Sequence, residues 1–218
     1  MMPGWPDEGR RIVQGPHLRS LLDRATRESK SLPVVFNPGC GEGGYSRLLL
    51  ALPGLDLLIE SDSSFHERIH RPDQSDKRQV FFGSSLESVP LANRTAHFIL
   101  CTEVLEHVVL DGQALDELAR VVARGGWLLI TVPTPPAVRD CNHVREGYRK
   151  DELCEMLRTR GFQIVEIRFC MYYFFRLLLC LWPRMRYRPR LFIRALAFID
   201  RLIAIGPPMD LMILARAI

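Results

Sequence analysis

The 218-residue chain has no run of apolar residues long enough to cross a bilayer. Its longest, Phe169 to Trp182, is 14 residues with Arg176 at its centre, against the roughly 18 to 20 that a spanning helix needs. It has 6 cysteines but no C-x-x-C pair among positions 40, 101, 141, 154, 170 and 180. That spacing argues against a zinc knuckle or a disulfide framework and fits a reducing compartment. Nothing at the start resembles a secretory leader, and no repeat or low-complexity tract is evident, so a cytoplasmic protein is expected. Charged residues make up 25% and apolar residues 47%, a balance that excludes a disordered chain and fits one domain over 1–218 with a sizeable core.

Charge is unevenly spread. The net charge is +4, yet Cys170 to Gly206 holds seven arginines against Asp200 alone, a local +6 that leaves −2 for the remainder. These arginines sit among aliphatic residues, not among exposed stacking aromatics, so a nucleic-acid surface is not expected.

The residues present are informative first at Val34 to Gly44, VVFNPGCGEGG, an apolar run that breaks into closely spaced glycines. Gly39, Gly41 and Gly43 allow positive φ and close approach of a ligand to main-chain N–H groups. Gly44 and Tyr45 then open a helix whose N-terminus favours a negative group. Read literally, Gly39, Gly41 and Gly44 also satisfy G-x-G-x-x-G, which leaves a nicotinamide-dependent oxidoreductase open, as it does a plain turn. LDLLIESDSS, Leu55 to Ser64, closes a second apolar run with acids. Asp62 can accept both hydroxyls of a ribose there, or cap a helix that starts at Ser63.

Strands are expected near 33–37, 55–60, 79–82, 97–102 and 127–132, with helices between them, which is the alternation of a parallel sheet covered on both faces. A leading helix over His17 to Ser29 places Leu18, Leu21 and Leu22 on one side, and residues 1–30 are expected to cover the cleft. Later helices are expected over Gly112 to Arg124 and Lys150 to Arg160.

Taken in order, the glycine loop, Asp62, the VPL step at Val89 to Leu91 and EVLEHV at Glu103 to Val108 resemble the class I S-adenosylmethionine-dependent methyltransferases. RGGWLLITVP (124–133), GF at 161–162 with QIVEIRF, and MDLMILA (209–215) are similar to that family's last three strands. The resemblance implies an α/β, doubly wound, mostly parallel seven-stranded Rossmann-like sheet, with a hydrophobic basic insertion over 170–206 before the last strand. It implies S-adenosyl-L-methionine as cofactor, held by Asn37, Gly39, Gly41, Gly43, Asp62, Ser84, Leu86 and Thr102, with Leu86 acting through its backbone. Asn37, Ser84 and His97 stand where the family usually has acids, and that departure keeps open a non-catalytic membrane-binding or scaffold protein of the same fold.

Glu103, Glu106 and His107 are spaced i, i+3 and i+4, so on a helix they share one face and offer part of a shell for Mg²⁺ or another divalent cation. His143 can reach back to them from beyond the fifth strand. This set resembles that of two metal-dependent branches, the small-RNA 2′-O-methyltransferases and the ubiquinone-pathway O-methyltransferases. It implies Glu103, Glu106, His107 and His143 as metal ligands. Without a metal, His107 or His143 is expected to act as the general base, or the string only braces the helix. The insertion is expected to lie at an anionic membrane surface, with Arg190, Arg194 and Arg201 within about 40° on a helical wheel; a lid or a dimer contact is the alternative. The expected acceptor is a small amphipathic or lipid-linked molecule methylated on oxygen, and the oligomeric state is left open.

Overall fold

The computed structural model describes residues 5–64, 76–136, 143–181 and 190–218, and, of the helical residues, leaves the side chains of 5–9, 178–181, Arg190, Ile193, Ala197 and Arg201 outside the description. The long helix α1 (Trp5–Ser29) leads into β1 (Val34–Pro38), the short α2 (Ser46–Leu50), β2 (Leu57–Asp62), β3 (Gln79–Gly83) and β4 (Ala96–Thr102). A 3-10 turn (Leu105–His107) precedes α3 (Asp111–Val121), β5 (Val122–Pro133), α4 (Lys150–Arg158) and β6 (Phe162–Cys170), and α5 (Tyr173–Leu181) and α6 (Arg190–Ile203) come before β7 (Asp210–Ala217).

The seven strands run in the order β3-β2-β1-β4-β5-β7-β6. All pairs are parallel except those of β7, which is antiparallel to β5 and to β6. The strand order reverses between β1 and β4, and in such sheets the crevice outside the carboxyl ends at that switch is where ligands sit. The doubly wound sheet expected from the sequence is thus present, with its insertion between β6 and β7.

Two apolar layers hold it. One face packs Leu18, Leu21, Leu22 and Ala25 of α1 on Val35, Phe98, Trp127 and Met212. The other packs Leu115, Leu118, Leu153 and Leu157 of α3 and α4 on Phe36, Ile99 and Ile130. Each fully buried leucine contributes roughly 1.5–3 kcal/mol, so α1 is anchored by its last three turns. Helix α1 begins twelve residues before the expected His17, with Pro16 inside it. A proline removes one i→i−4 bond; burial of Val13 and Gln14 on the preceding turn offsets that loss and carries the helix over the cleft.

In the insertion, Phe175 of α5 is buried and Leu196 of α6 packs against the same layer. Buried Asp200 of α6 accepts the backbone N–H groups of Tyr172 (2.6 Å), Phe174 (3.0 Å) and Phe175 (3.3 Å). It therefore caps the start of α5 from a neighbouring helix. Trp182, residues 183–189 and the side chains of Arg190 and Arg201 lie outside the description, so of the expected arginine stripe only exposed Arg194 is placed.

Candidate functional site

The glycine loop leaves β1 with Gly39, Gly41 and Gly43 at φ +65°, +51° and +72°, the left-handed region where a Cβ is penalised. A Cβ on Gly39 would come within 2.2 Å of Val104, whereas one on Gly41 would meet nothing within 4 Å. Gly39 thus faces the β4 loop, and Gly41 faces open space. That space is a cavity of about 160 Å³ bounded by Gly39, Gly41, Tyr45, Thr102 and Glu103 below and by Arg10 and Gln14 of α1 above.

Asp62, at the tip of β2, accepts Gly41 N–H at 2.9 Å and Ser64 N–H and Oγ–H at 2.9 and 2.6 Å. Its carboxylate clasps the loop and, with three bonds accepted, keeps further acceptor capacity; the helix it could cap falls on 65–75, outside the described residues. Ser84 follows β3, and its Oγ is buried with no hydrogen-bond partner among the described residues. Leu86 is buried in the core, leaving its main chain to contribute. Asn37 does not face the cleft: its Nδ2 donates to Glu60 Oε1 at 2.7 Å. Glu60 also accepts Ser46 Oγ–H at 2.8 Å and the Gln79 amide. His97 stands at the amino end of β4, the opposite end of the sheet from the crevice, so its departure from the family pattern does not bear on the cofactor.

Glu103 is not on a helix. It has φ +54°, and its side chain turns to α1, accepting Thr131 Oγ–H (2.8 Å) and Gln14 Nε2–H (3.3 Å) and pairing with Arg10. Gln14 also donates to Asp210 at 2.5 Å and accepts Tyr45 O–H at 3.0 Å. The expected shared face of Glu103, Glu106 and His107 therefore does not form, because the left-handed residue ends β4 and only a single 3-10 turn follows.

The structure instead groups Glu106, His107 and His143, whose ligand atoms all lie within 4.8 Å of one another. The two imidazoles meet edge to face at 4.7 Å between centroids, and His107 Nε2 is 3.9 Å from Glu106 Oε1. His143 is brought there because Val144 and Arg145 donate backbone N–H groups to Glu106 O at 3.0 and 3.2 Å. Both Glu106 carboxyl oxygens are buried without a hydrogen-bond partner among the described residues. Burial, with Glu103 nearby, raises its pKa to about 9, so the group is a neutral acid at pH 7 when nothing cationic joins it. Asp210 is likewise raised to about 7, by burial first and by Glu103 second, against the opposing influence of Arg10 and Gln14.

Comparison with known proteins finds relatives over the part of the chain that builds the cleft. The family described as a methyltransferase domain matches residues 36–130, the span from β1 to β5 that carries the loop, Asp62, Ser84, Thr102 and the EVLEHV turn. Over that span the chain is similar to S-adenosylmethionine-dependent methyltransferases. A protein of Mycolicibacterium smegmatis named "Probable S-adenosylmethionine-dependent methyltransferase" is 27% identical over 139 residues, 60% of this chain and 52% of that one. A Mycobacterium tuberculosis protein of the same description is 26% identical over 145 residues, 62% and 50% of the two chains. The chain thus spans about half the length of the curated relatives it matches.

Among solved structures, an S-adenosylmethionine-dependent methyltransferase from Mesorhizobium loti superposes with a TM-score of 0.62 at 17% identity, over 94% of this chain and 97% of that one. The N-methyltransferase NodS of Bradyrhizobium japonicum, in complex with S-adenosyl-L-homocysteine, gives 0.64 at 17% over 97% and 88%. These likenesses show the fold. S-adenosylmethionine is the cofactor of that family, and the residues here fit it in the open space over Gly41 and in the Ser84 hydroxyl, which has no hydrogen-bond partner among the described residues. The nicotinamide alternative suggested by the literal glycine spacing gives way to this assignment.

Sequence reasoning passed over Glu60, Arg10, Gln14 and Asp210. Glu60 lies two positions before Asp62 in the same acidic strand tip, and Asp210 is an acid inside the apolar run MDLMILA; either could have been flagged as a buried charge needing partners.

Proposed function

We propose that this methyltransferase moves the methyl group of S-adenosylmethionine to a hydroxyl oxygen of an amphipathic or lipid-linked small molecule. The observation that carries the reading is the Glu106–His107–His143 group, a buried carboxyl with no hydrogen-bond partner among the described residues beside two imidazoles, with Glu106 and His107 on the turn that follows the cavity residues Thr102 and Glu103. A carboxyl so placed is costly unless something cationic or acidic joins it.

S-adenosylmethionine supplies an electrophilic methyl on a sulfonium: the acceptor oxygen's lone pair forms the new O–C bond as the S–C pair returns to sulfur, leaving S-adenosylhomocysteine. The acceptor's proton passes to an imidazole, His107 or His143, which the tethered 143–145 loop holds next to the cleft. Glu106, His107 and His143 also fit a divalent cation, which would lower the pKa of an acceptor hydroxyl; Glu103, engaged with Arg10 and Thr131, is outside that set. Arg10 and Gln14 close the cavity from above, and exclusion of water and alignment of oxygen with methyl supply much of the acceleration.

The test is transfer of radiolabelled methyl from S-adenosylmethionine to polyprenylated phenols and lipid-linked sugars, with Mg²⁺ and with chelator. Alkali-stable ether product in the organic phase that disappears in His143→Ala supports the reading. S-adenosylhomocysteine binding without transfer to any hydroxyl acceptor sends the acceptor class back to nitrogen or carbon. Failure to bind the cofactor product with or without metal favours the non-catalytic membrane protein.

A further inference from the structure

A second, larger opening adjoins the cofactor cavity. It is a groove of about 1000 Å³ between α1, the start of α2 and α6, and it shares Arg11, Gly44 and Tyr45 with the cavity. Four arginines from three elements line it, Arg11 and Arg19 of α1, Arg47 of α2 and Arg194 of α6, and no Asp or Glu does among the described residues. Arg19, Arg47 and Arg194 are exposed, and among the described residues their side chains make no hydrogen bond or ion pair. Between the arginines the wall is apolar, with Ile12, Leu48 and Phe198.

Guanidinium groups gathered around one groove repel one another and are relieved by an anion, and phosphate suits their forked donors best. What lies beside the groove selects the source of that phosphate. Along α6 and just after it, Leu191 is 80% exposed, Phe198 62%, Leu202 67% and Ile205 54%. The acid of α6, Asp200, is turned inward to cap α5 and is 1% exposed. The outer face of α6 therefore presents hydrocarbon and cationic charge, the composition of a helix that lies in a lipid interface. No helix among the described residues is long and apolar enough to cross a membrane.

We infer that the groove between α1, α2 and α6 is a binding site for the phosphate headgroup of an anionic lipid, whose hydrocarbon chains lie along the exposed face of α6. The site couples membrane docking to the cofactor cleft, because Arg11 and Tyr45 belong to both walls. The inference deepens the lipid-linked acceptor class of the proposed function and does not depend on methyl transfer.

The test is co-sedimentation of the full chain with vesicles of phosphatidylcholine alone and with 30 mol% phosphatidylglycerol, approximately physiological in salt. Each basic residue near an anionic surface contributes on the order of 1 kcal/mol, so Arg47→Glu/Arg194→Glu is expected to weaken binding to the anionic vesicles at least about tenfold. Arg27→Glu/Arg149→Glu changes net charge equally at exposed positions outside the groove and is expected to bind nearly as the parent does. Equal losses in the two pairs would mean diffuse attraction and overturn the site. Binding of inorganic phosphate without vesicle binding would assign the groove to a free anion and overturn it too. So would a lipid-free dimer that Leu202→Asp dissociates, with no vesicle binding by the parent. S-adenosylhomocysteine titration of every variant reports folding and the cofactor cleft separately: retained cofactor binding with lost vesicle binding supports the groove, and groove-dependent vesicle binding stands even if the methyl-transfer reading fails.

Discussion

Two glycines two residues apart in the same loop should fail for different reasons when changed to alanine. At both, a Cβ in the left-handed region costs roughly 1–2 kcal/mol, given φ +65° at Gly39 and +51° at Gly41. At Gly39 the new methyl would also stand 2.2 Å from Val104 Cγ2, and overpacking of that kind adds about 1–3 kcal/mol. Gly39→Ala should therefore lose roughly 2–5 kcal/mol in total, or about 4–20 °C of melting temperature for a domain this size. Most of the overpacking part should return in Gly39→Ala/Val104→Ala relative to Val104→Ala. Gly41→Ala meets no protein atom within 4 Å, so only the backbone strain should appear in its stability. Its methyl enters the space reserved for the ligand, and S-adenosylhomocysteine affinity should fall about tenfold or more, the equivalent of about 1.4 kcal/mol of lost contact. Urea denaturation and calorimetric titration of the four variants separate the two effects. Parental affinity in folded Gly41→Ala would refute the placement of the cofactor over this loop.

Other perturbations probe the remainder of the cleft. Asp62→Ala removes the clasp on Gly41 N–H along with a ribose acceptor, and should weaken S-adenosylhomocysteine binding by about 2 kcal/mol or more; unchanged affinity would remove Asp62 from the site. Glu106→Gln and His143→Ala should leave that affinity within about twofold yet lower turnover at least about a hundredfold, as loss of a general base or of a bound cation does; retained turnover in both would show the cluster to be bracing alone. Asp210 carries a folded-state pKa raised to about 7 from 3.8, so between those values the folded chain holds a proton that the unfolded chain has released. Its contribution is fully present below about pH 4 and is lost as pH rises through about 7. Asp210→Asn should accordingly gain stability relative to the parent across that window, by more than about 1 kcal/mol. A pH-independent difference in chemical denaturation between pH 4 and 8 would place the proton elsewhere.

The strands were legible because their apolar runs are short and punctuated: the six-residue β2 ends in acids, and the glycine loop ends β1. Three features were not legible, each for a physical reason. Pro16 reads as a break in a local pattern, and only burial of the turn before it shows that α1 continues to Trp5. The i, i+3, i+4 spacing of Glu103, Glu106 and His107 presumes a helix; a left-handed Glu103 followed by one 3-10 turn sends the first side chain to α1 and the other two to His143. Arg10 and Gln14 sit 89 or more residues from their partner Glu103, and no local periodicity encodes a contact at that separation. The cofactor loop is written in backbone requirements, which a sequence displays as glycine. The α1 cover is written in long-range polar contacts, which it does not.

The residues that depart from the methyltransferase pattern take a different meaning once their neighbours are placed. Asn37 lacks the charge expected before the glycine loop, yet Glu60 on the adjacent strand is directly across the parallel register and receives its amide at 2.7 Å. A carboxylate is thus retained at the base of the loop, held by Asn37, Ser46 and Gln79, with its position moved from β1 to β2. An asparagine is the residue such an exchange requires, because a second carboxylate there would share one buried pocket with Glu60 and raise the pKa of one of the pair. Ser84 loses a charge outright but keeps a buried hydroxyl with no partner among the described residues beside the tip of β2, and His97 lies at the far end of the sheet. Glu60 is buried beneath the loop, Asp62 clasps Gly41 and Glu103 lines the cavity, one more acid around the loop than inspection of the family positions alone would count, and the departures argue for a rearranged cofactor site, not for a lost one.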